Sequence, residues 1–477
     1  MPGRRSGRSR PLLGVRLCAV AGLACVLALA GAADAEVPLE ADEPTAPVPP
    51  KTQASVSNEP AAISGIEEDA FVPNDVGRDV ASALLYVPRN VIDYAFRGAE
   101  LAATLVTDRQ LVPRYRELFS TPSAHLYVFP TLFAETDAPV SVGLRMIFDS
   151  RRLAASQRIG FGGLHQIEAE TRLVLKGAIG RMPAILSLES YYELADNRRF
   201  YGIGLVPRTD PRNRFMPNTP REFGYYTERR VRHLASGGLR LAENLELLVS
   251  TSLYRRQTET TPSRGDAAVS AVFEPGSIAG FSTDNPYMVY SEVAARFDSR
   301  RIRTRPSAGW LFESYVGGAH QLGGSDLAYM RVGARAGMAV PVVRQSNLFA
   351  LRLTVDGVAP APRGTLPFVE LEHQTEYRGF DTRRDRIAVL GSADYTWMLV
   401  PALGMRLFAD ALTVAPSLRS LGIEELQNMR FAFGLGLDAF SGTNTLASLG
   451  LSVSGDGLRA VATFGAPSTH GDRQHRE

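Results

Sequence analysis

Cysteine is nearly missing from this chain of 477 residues: it has two, Cys18 and Cys25, both within the first 35 positions. Beyond them the chain can form no disulfide, no thiolate nucleophile and no cysteine metal site. The seven histidines, His125, His165, His233, His320, His373, His470 and His475, are scattered without metal-ligand spacing. A basic excess is missing too. The formal net charge is +2, and it moves to −2 once the five arginines and one aspartate of the first 35 residues are set aside. That balance argues against a nucleic-acid binder. No stretch after residue 35 approaches the ~20 consecutive apolar residues of a membrane-spanning helix, and mean hydropathy is −0.07, the value of a soluble chain. Serine-elbow, zinc-helix and phosphate-loop motifs do not occur. The reading therefore assigns no enzyme activity, no catalytic or metal residue and no cofactor.

What the chain does have is alternation. From about residue 124 to Phe464, apolar residues recur at every second position in short runs broken by Gly, Pro, Asn and Asp. Val140, Val142, Leu144, Met146 and Phe148 point one way, and Ser141, Gly143, Arg145 and Asp149 the other. Phe349, Leu351, Leu353 and Val355 repeat the pattern, as do Phe431, Phe433, Leu435 and Leu437. Period two means strands with one apolar and one polar face. Fifteen candidates follow: 124–134, 139–149, 166–177, 182–194, 223–240, 245–257, 288–299, 306–320, 326–340, 346–358, 387–399, 403–414, 429–439, 444–453 and 457–464. A transmembrane β-barrel explains the alternation together with the low hydropathy, because half of every membrane strand is polar. Single-chain bacterial barrels use even strand numbers, so one strand is missing, with 150–165 and 266–281 the places for it. A soluble sandwich or propeller is the competing architecture. Long connections at 195–222, 258–287, 359–386 and 415–428 are expected outside, and short ones at 401–402 and 442–443 on the periplasmic side. Tyr395, Trp397, Trp310, Phe312, Tyr191, Tyr192, Tyr225 and Tyr226 stand near strand ends, as in an aromatic girdle.

The N-terminal quarter divides differently. Residues 1–35 read as a secretory signal: a basic start (Arg4, Arg5, Arg8, Arg10, Arg16), an apolar run from Leu17 to Ala30, and Ala33-Asp34-Ala35 as a cleavage site. Residues 36–75 read as a disordered Pro-rich linker. Residues 76–120 carry helical spacing at Val80, Leu84, Val87, Val91, Tyr94 and Leu101 and are expected as a periplasmic helical segment. Residues 121–465 are the barrel and 466–477 a flexible tail.

One loop carries a recognisable constellation. Tyr377-Arg378-Gly379-Phe380 lies in a long connection five strands before the end, followed by strands holding Asp394 and Asp410. Upstream, Phe297-Asp298-Ser299-Arg300 and Pro306-Ser307-Ala308-Gly309 mark a strand junction. This arrangement resembles the BamA/TamA superfamily, the bacterial surface antigen family, well over 290–465 and loosely over 124–290. The resemblance implies a sixteen-stranded antiparallel barrel. Its sixth extracellular loop would fold into the lumen, with Arg378 pairing with Asp394 and Asp410. Alternation independently puts both carboxylates on the lumen face, since Arg406, Phe408 and Asp410 share one side and Ser392, Asp394 and Thr396 another. A guanidinium can bridge two carboxylates through its forked donors. Gly379 is expected to let the loop turn or approach the wall, and Phe380 to wedge beside it.

The resemblance further implies an outer-membrane protein of a Gram-negative bacterium that assists insertion, export or transfer of a protein or lipid. Outer-membrane lipid and a periplasmic or secreted protein are the partners it implies. Residues 36–120 lack the strand pattern of the periplasmic POTRA domains that translocases of the family carry, so a member without them is expected. A short last strand, Leu458 to Phe464, suggests weak pairing with the first. Lumen charges Glu292, Arg296, Asp298, Arg331 and Arg335 are expected to solvate a pore or pair across strands. A passive porin and a structural surface antigen are the rival functions.

Overall fold

The computed structural model describes residues 126–464, apart from short segments at 136–139, 164–165, 260–266, 275, 278–285, 301–305, 324–326, 343–346, 363–365, 380–382, 401, 423–424, 426 and 442–443. The expected signal, linker, helical segment and tail, and Phe380, lie outside the described residues. Sixteen antiparallel strands close into one barrel. They are β1 (Leu126–Glu135), β2 (Ser141–Asp149), β3 (Leu153–Phe161), β4 (Gln166–Ile179), β5 (Met182–Phe200), β6 (Gly224–Ala242), β7 (Leu245–Glu259) and β8 (Met288–Asp298). Then come β9 (Gly309–Gln321), β10 (Ala328–Pro341), β11 (Asn347–Pro360), β12 (Ile387–Val400), β13 (Leu403–Ala415), β14 (Arg430–Ser441), β15 (Asn444–Ser454) and β16 (Gly457–Phe464).

The missing strand is β3, inside the first of its two expected places. Its sequence LAASQRIGF alternates too weakly to show against neighbours such as Phe349–Val355. The other place, 266–281, holds among its described residues a helical turn, Val269–Val272. β5, β6 and β7 run to Phe200, Ala242 and Glu259, longer than expected, because their ends keep pairing beyond the apolar band.

The two faces separate as the pattern demands. Outward-facing Leu186, Leu188, Val249, Val293, Trp310, Phe312, Leu353, Phe433 and Leu449 are exposed. Inward-facing Glu189, Arg230, Arg232, Arg256, Glu292, Glu313, Asp356 and Asp410 are buried. An apolar exterior around a charged interior suits a wall with lipid outside and polar groups inside. Of the lumen charges expected to pair across strands, Arg296 does so, its Nε 2.8 Å from Glu313 of β9, whereas Asp298 pairs locally with Arg300, two residues on, at 2.9 Å. Two girdle assignments are corrected. Tyr191 and Tyr226 alternate inward and are buried, leaving Tyr192 and Tyr225 to face out. Adjacent aromatics on one strand cannot share a face.

The connections after the even-numbered strands run from two residues, Gly180-Arg181 between β4 and β5, to ten, 299–308 between β8 and β9. Those after the odd-numbered strands include the long connections, and three of these fold over and into the barrel. Phe200, Tyr226, Val269, Val272, Phe273, Phe368, Val369 and Leu371 form one buried apolar cluster linking loop 201–223, loop 260–287 and loop 361–386. Phe200 meets Phe273 and Phe368 at centroid distances of 5.2 and 5.0 Å. Each such side chain contributes about 1.5–3 kcal/mol by leaving water, which offsets the entropy of ordering long loops.

Candidate functional site

Residues 368–379, in the connection between β11 and β12, run along the inner wall as an extended strap. From Glu370, the last residue of the 3-10 turn Phe368–Glu370, its sequence reads E-L-E-H-Q-T-E-Y-R, and every second side chain meets the wall. Tyr329 Oη donates to Glu370 at 2.7 Å, and Arg331 donates to the Glu370 carbonyl at 3.0 Å. Arg256 donates to the Val369 carbonyl at 2.6 Å. Glu372 pairs with Arg331 at 2.6 Å. Gln374 donates to Asp356 at 2.8 Å. Glu376 lies between Arg335 and Arg352 at 3.1 and 3.2 Å. The intervening Leu371 and Tyr377 are buried.

Arg378 ends the strap. Its Nε donates to Asp410 Oδ2 at 2.9 Å, its Nη2 to Asp410 Oδ1 at 2.5 Å, and its backbone N–H to Asp410 Oδ2 at 2.9 Å. Nη1 donates to Asp394. One guanidinium thus bridges β12 and β13, where Asp394 and Asp410 project inward two register steps apart. Burial opposes the charge on Arg378, but the hydrogen bonds and charge of Asp410 and the charge of Asp394 outweigh it and hold the pKa above the usual guanidinium value. The loop tip also reaches the end of the chain. Ser452 Oγ of β15 donates to the Arg378 carbonyl at 2.6 Å, and Arg459 of β16 donates to the Tyr377 and Gly379 carbonyls at 3.1 and 3.0 Å.

Two glycines are required by close approach. Phe408 carries Arg378 on its face, with the guanidinium carbon 3.9 Å from the ring centroid, and the Leu451 carbonyl oxygen of β15 together with this ring occupies the space that a Cβ on Gly434 would take. Gly434→Ala should therefore push on both Phe408 and the β15 backbone and cost about 1–3 kcal/mol by overpacking. The measurement is thermal loss of the folded band on gels; an unchanged midpoint would show that the ring and the strand both yield freely. At Gly379 the space is taken by the Tyr377 ring rather than by the barrel wall. The crowding is within the loop itself.

The alternating acids Glu370, Glu372 and Glu376 and their wall partners Arg256, Arg331, Arg335 and Arg352 escaped the sequence reading as a set. The signal was present as period-two charge in an otherwise loop-like stretch, but only the closed barrel shows which arginines lie across from it.

A second latch holds loop 201–223. Arg212 donates to Asp385 at 2.7 and 2.8 Å and to Asp210 at 2.5 to 3.1 Å. Burial pushes the Asp210 carboxyl up, but hydrogen bonds from Arg212 outweigh it and the net shift is downward. The contribution is present above the unfolded carboxylate value, about 3.9, and is lost as pH falls through the lower folded value. Amide exchange in 201–223, taken relative to the intrinsic rate at each pH, should therefore quicken on acidification from pH 5 to below pH 4. An Arg212→Ala variant should show fast exchange at both; equal exchange in wild type across that range would remove the latch.

Comparison with solved structures gives barrels at low identity. BamA from Haemophilus ducreyi lacking POTRA domains 1–3 aligns at 11% identity over 71% of this chain and 70% of its own, with a TM-score of 0.49. CdiB from Acinetobacter baumannii aligns at 9% over 71% and 59%, TM-score 0.43, and CdiB from Escherichia coli at 8% over 72% and 63%, TM-score 0.39. The chain thus spans about three fifths of each CdiB chain. No protein-family model and no curated protein matches the sequence.

Proposed function

We propose that this protein resides in the outer membrane of a Gram-negative bacterium and handles a macromolecule there, in the manner of the BamA/TamA superfamily: insertion, export or transfer of a protein or lipid. Its partners in this reading are outer-membrane lipid and a periplasmic or secreted protein, with no nucleic acid. The reading assigns the protein no catalysis of its own.

The observation that carries the proposal is the seam. Among the described residues β1 and β16 pair over four positions, Leu132–Glu135 against Phe464–Val461. Every other neighbouring pair of strands runs eight positions or more. A short ladder is the cheapest place to open a closed sheet, because fewer backbone hydrogen bonds must be given up. The strap reports on that place, since Arg459 lies on β16. The porin rival expects a clear lumen, and here a charged strap crosses it.

The test is a lock. Ala134 and Ala462 face each other across the seam, and the chain past residue 35 has no cysteine to interfere. Ala134→Cys with Ala462→Cys, oxidised, should fail to restore the outer-membrane barrier defect of a deletion strain. A reductant and either single variant should restore it. Full restoration by the locked protein would rule out an opening seam.

A further inference from the structure

A cavity of about 270 Å³ lies against β4–β8, toward the end of the barrel that carries the turns Gly180-Arg181 and Glu243-Asn244. The strap takes its wall partners from β7, β10–β13, β15 and β16 instead. Strand register orders the cavity lining into rows. Nearest the turns, Arg240, Glu246 and Arg296 face inward side by side. In the next row Ile185 and Leu248 flank Gly238, with Lys176 of β4 beside Ile185. One row further in, Ser187 meets Ser236, Oγ to Oγ at 2.5 Å. Arg172 of β4 stands one row beyond the serines, about 7 Å along the strand. Glycine and serine at the middle rows leave the hollow that larger side chains would fill.

Arg172 is held differently from its neighbours. Arg158, Arg230, Arg232, Arg256 and Arg331 each pair with a carboxylate. At the cavity, Arg240 pairs with Glu246 at 3.1 Å, Arg296 with Glu313 at 2.8 Å and Lys176 with Asp149 at 3.2 Å. Glu292, also on the lining, accepts a hydrogen bond from Tyr290. Arg172 is half-buried and faces Glu189 in register, but that carboxylate is taken by Arg232. Among the described residues the Arg172 side chain has no hydrogen bond and no ion pair. The apolar residues here are also unusual in their direction. Ile185 shares the inward face with buried Ser187 and Glu189, yet it is exposed, and Leu248 across Gly238 is half-buried. Both bare hydrocarbon to the lumen rather than to the outer wall.

A guanidinium half withdrawn from water gains by taking an anion, and its forked donors suit a carboxylate or phosphate. Hydrocarbon bared inside a polar lumen gains by taking an apolar group. The volume lies near the lower end of the roughly 300–1,000 Å³ of small-ligand sites, which suits one alkyl chain rather than the two of a phospholipid. We infer that this cavity binds a single-chain anionic amphiphile, its anionic head on Arg172 and the serine pair, and its alkyl chain against Ile185 and Leu248. Ser187 and Ser236 use one hydroxyl proton between them, so the second is available to donate to the head. The cations of the outer row draw an anion toward the mouth.

The test uses the full chain in neutral maltoside micelles with a photo-crosslinking decanoate, the labelled positions being mapped by mass spectrometry. Wild type should be labelled on the inward face of β5 and β7, at or beside Ile185 and Leu248. Arg172→Ala should cut that labelling about tenfold through loss of the charge-assisted bonds, and Arg172→Lys should keep part of it. Leu248→Ser, which spares the arginine, should lower labelling of β5 as well. Unlabelled decanoate and decyl phosphate should compete, whereas decanol and millimolar inorganic phosphate should not, because head and chain are needed together. Arg172→Ala should keep heat-modifiable migration, since the side chain it removes holds no partner. Unchanged labelling in the alanine or the serine variant, equal competition by decanol, or label confined to outward residues such as Leu247 and Val249 would each overturn the site. Full displacement by inorganic phosphate would reduce it to an ion site. Stronger competition by a short peptide with a free C-terminal carboxylate than by decanoate would overturn the amphiphile in favour of a polypeptide end.

Discussion

Arg378→Ala should destabilise the barrel by about 3–5 kcal/mol, the cost of removing one partner from a buried, hydrogen-bonded charge cluster. Asp410 is 1% exposed and takes three hydrogen bonds from Arg378, one of them from its backbone. The alanine variant keeps only the backbone bond and leaves Asp394 and Asp410 facing each other without a cation. Like charges at close range in a low-dielectric lumen repel strongly. The expected readout is an earlier loss of the folded, SDS-resistant band on heating, with faster proteolysis of loop 361–386. Arg378→Lys should recover part of the loss, since a single ammonium cannot reproduce the fork. Double replacement Asp394→Asn with Asp410→Asn in the alanine background should relieve the repulsion. If Arg378→Ala melts and digests like wild type, the strap is not latched there.

The second large effect concerns the lumen. Replacing Glu370, Glu372 and Glu376 together with glutamine should unseat the strap and bare Arg331, Arg335 and Arg352, which those glutamates neutralise, while Arg256 keeps Glu228 at 2.7 Å. A pore lined by arginine favours anions. In planar bilayers the wild-type protein should show rare, small openings, and the triple variant frequent, larger and anion-selective ones. The reversal potential in a salt gradient gives the selectivity directly. Steady, large wild-type currents would instead favour the passive channel, and a silent triple variant would mean that the strap's glutamates are not what limits current. That outcome would direct attention to the apolar cluster of Phe200, Phe273 and Phe368, which joins the long loops independently of the strap's charges.

These two experiments also separate the strap's roles. Arg378 ties the loop to β12, β13 and, through its own carbonyl, to β15. Glu370 and Glu372 tie it to β7 and β10. Loss of one anchor leaves the other, so the arginine variant alone is expected to lower stability more than it raises conductance.

Much of this molecule follows from local sequence. Side chains alternate across a strand with period two whatever the tertiary context. Runs such as Phe349–Val355 and Phe431–Leu437 therefore announce both a strand and which of its faces is apolar. Even strand numbers made one absence visible, and β3 fills it. The inward direction of Asp394 and Asp410 was likewise a matter of counting, because each shares a face with polar neighbours on its own strand. Other features depended on closure. No spacing in the chain says that Arg331 will face Glu372, forty-one residues on, or that Arg459 will donate to Tyr377 and Gly379. Such contacts are fixed by strand order, tilt and register around the whole barrel, which are properties of sixteen strands together. The inward turn of Tyr191 and Tyr226 shows the same limit on a small scale. Aromatic type marks a residue as suited to an interface, but a one-residue step decides the face. The seam is the clearest case. Strand length near the C-terminus hinted at weak pairing, whereas the register Leu132↔Phe464 to Glu135↔Val461 arises only when the two ends of the chain meet.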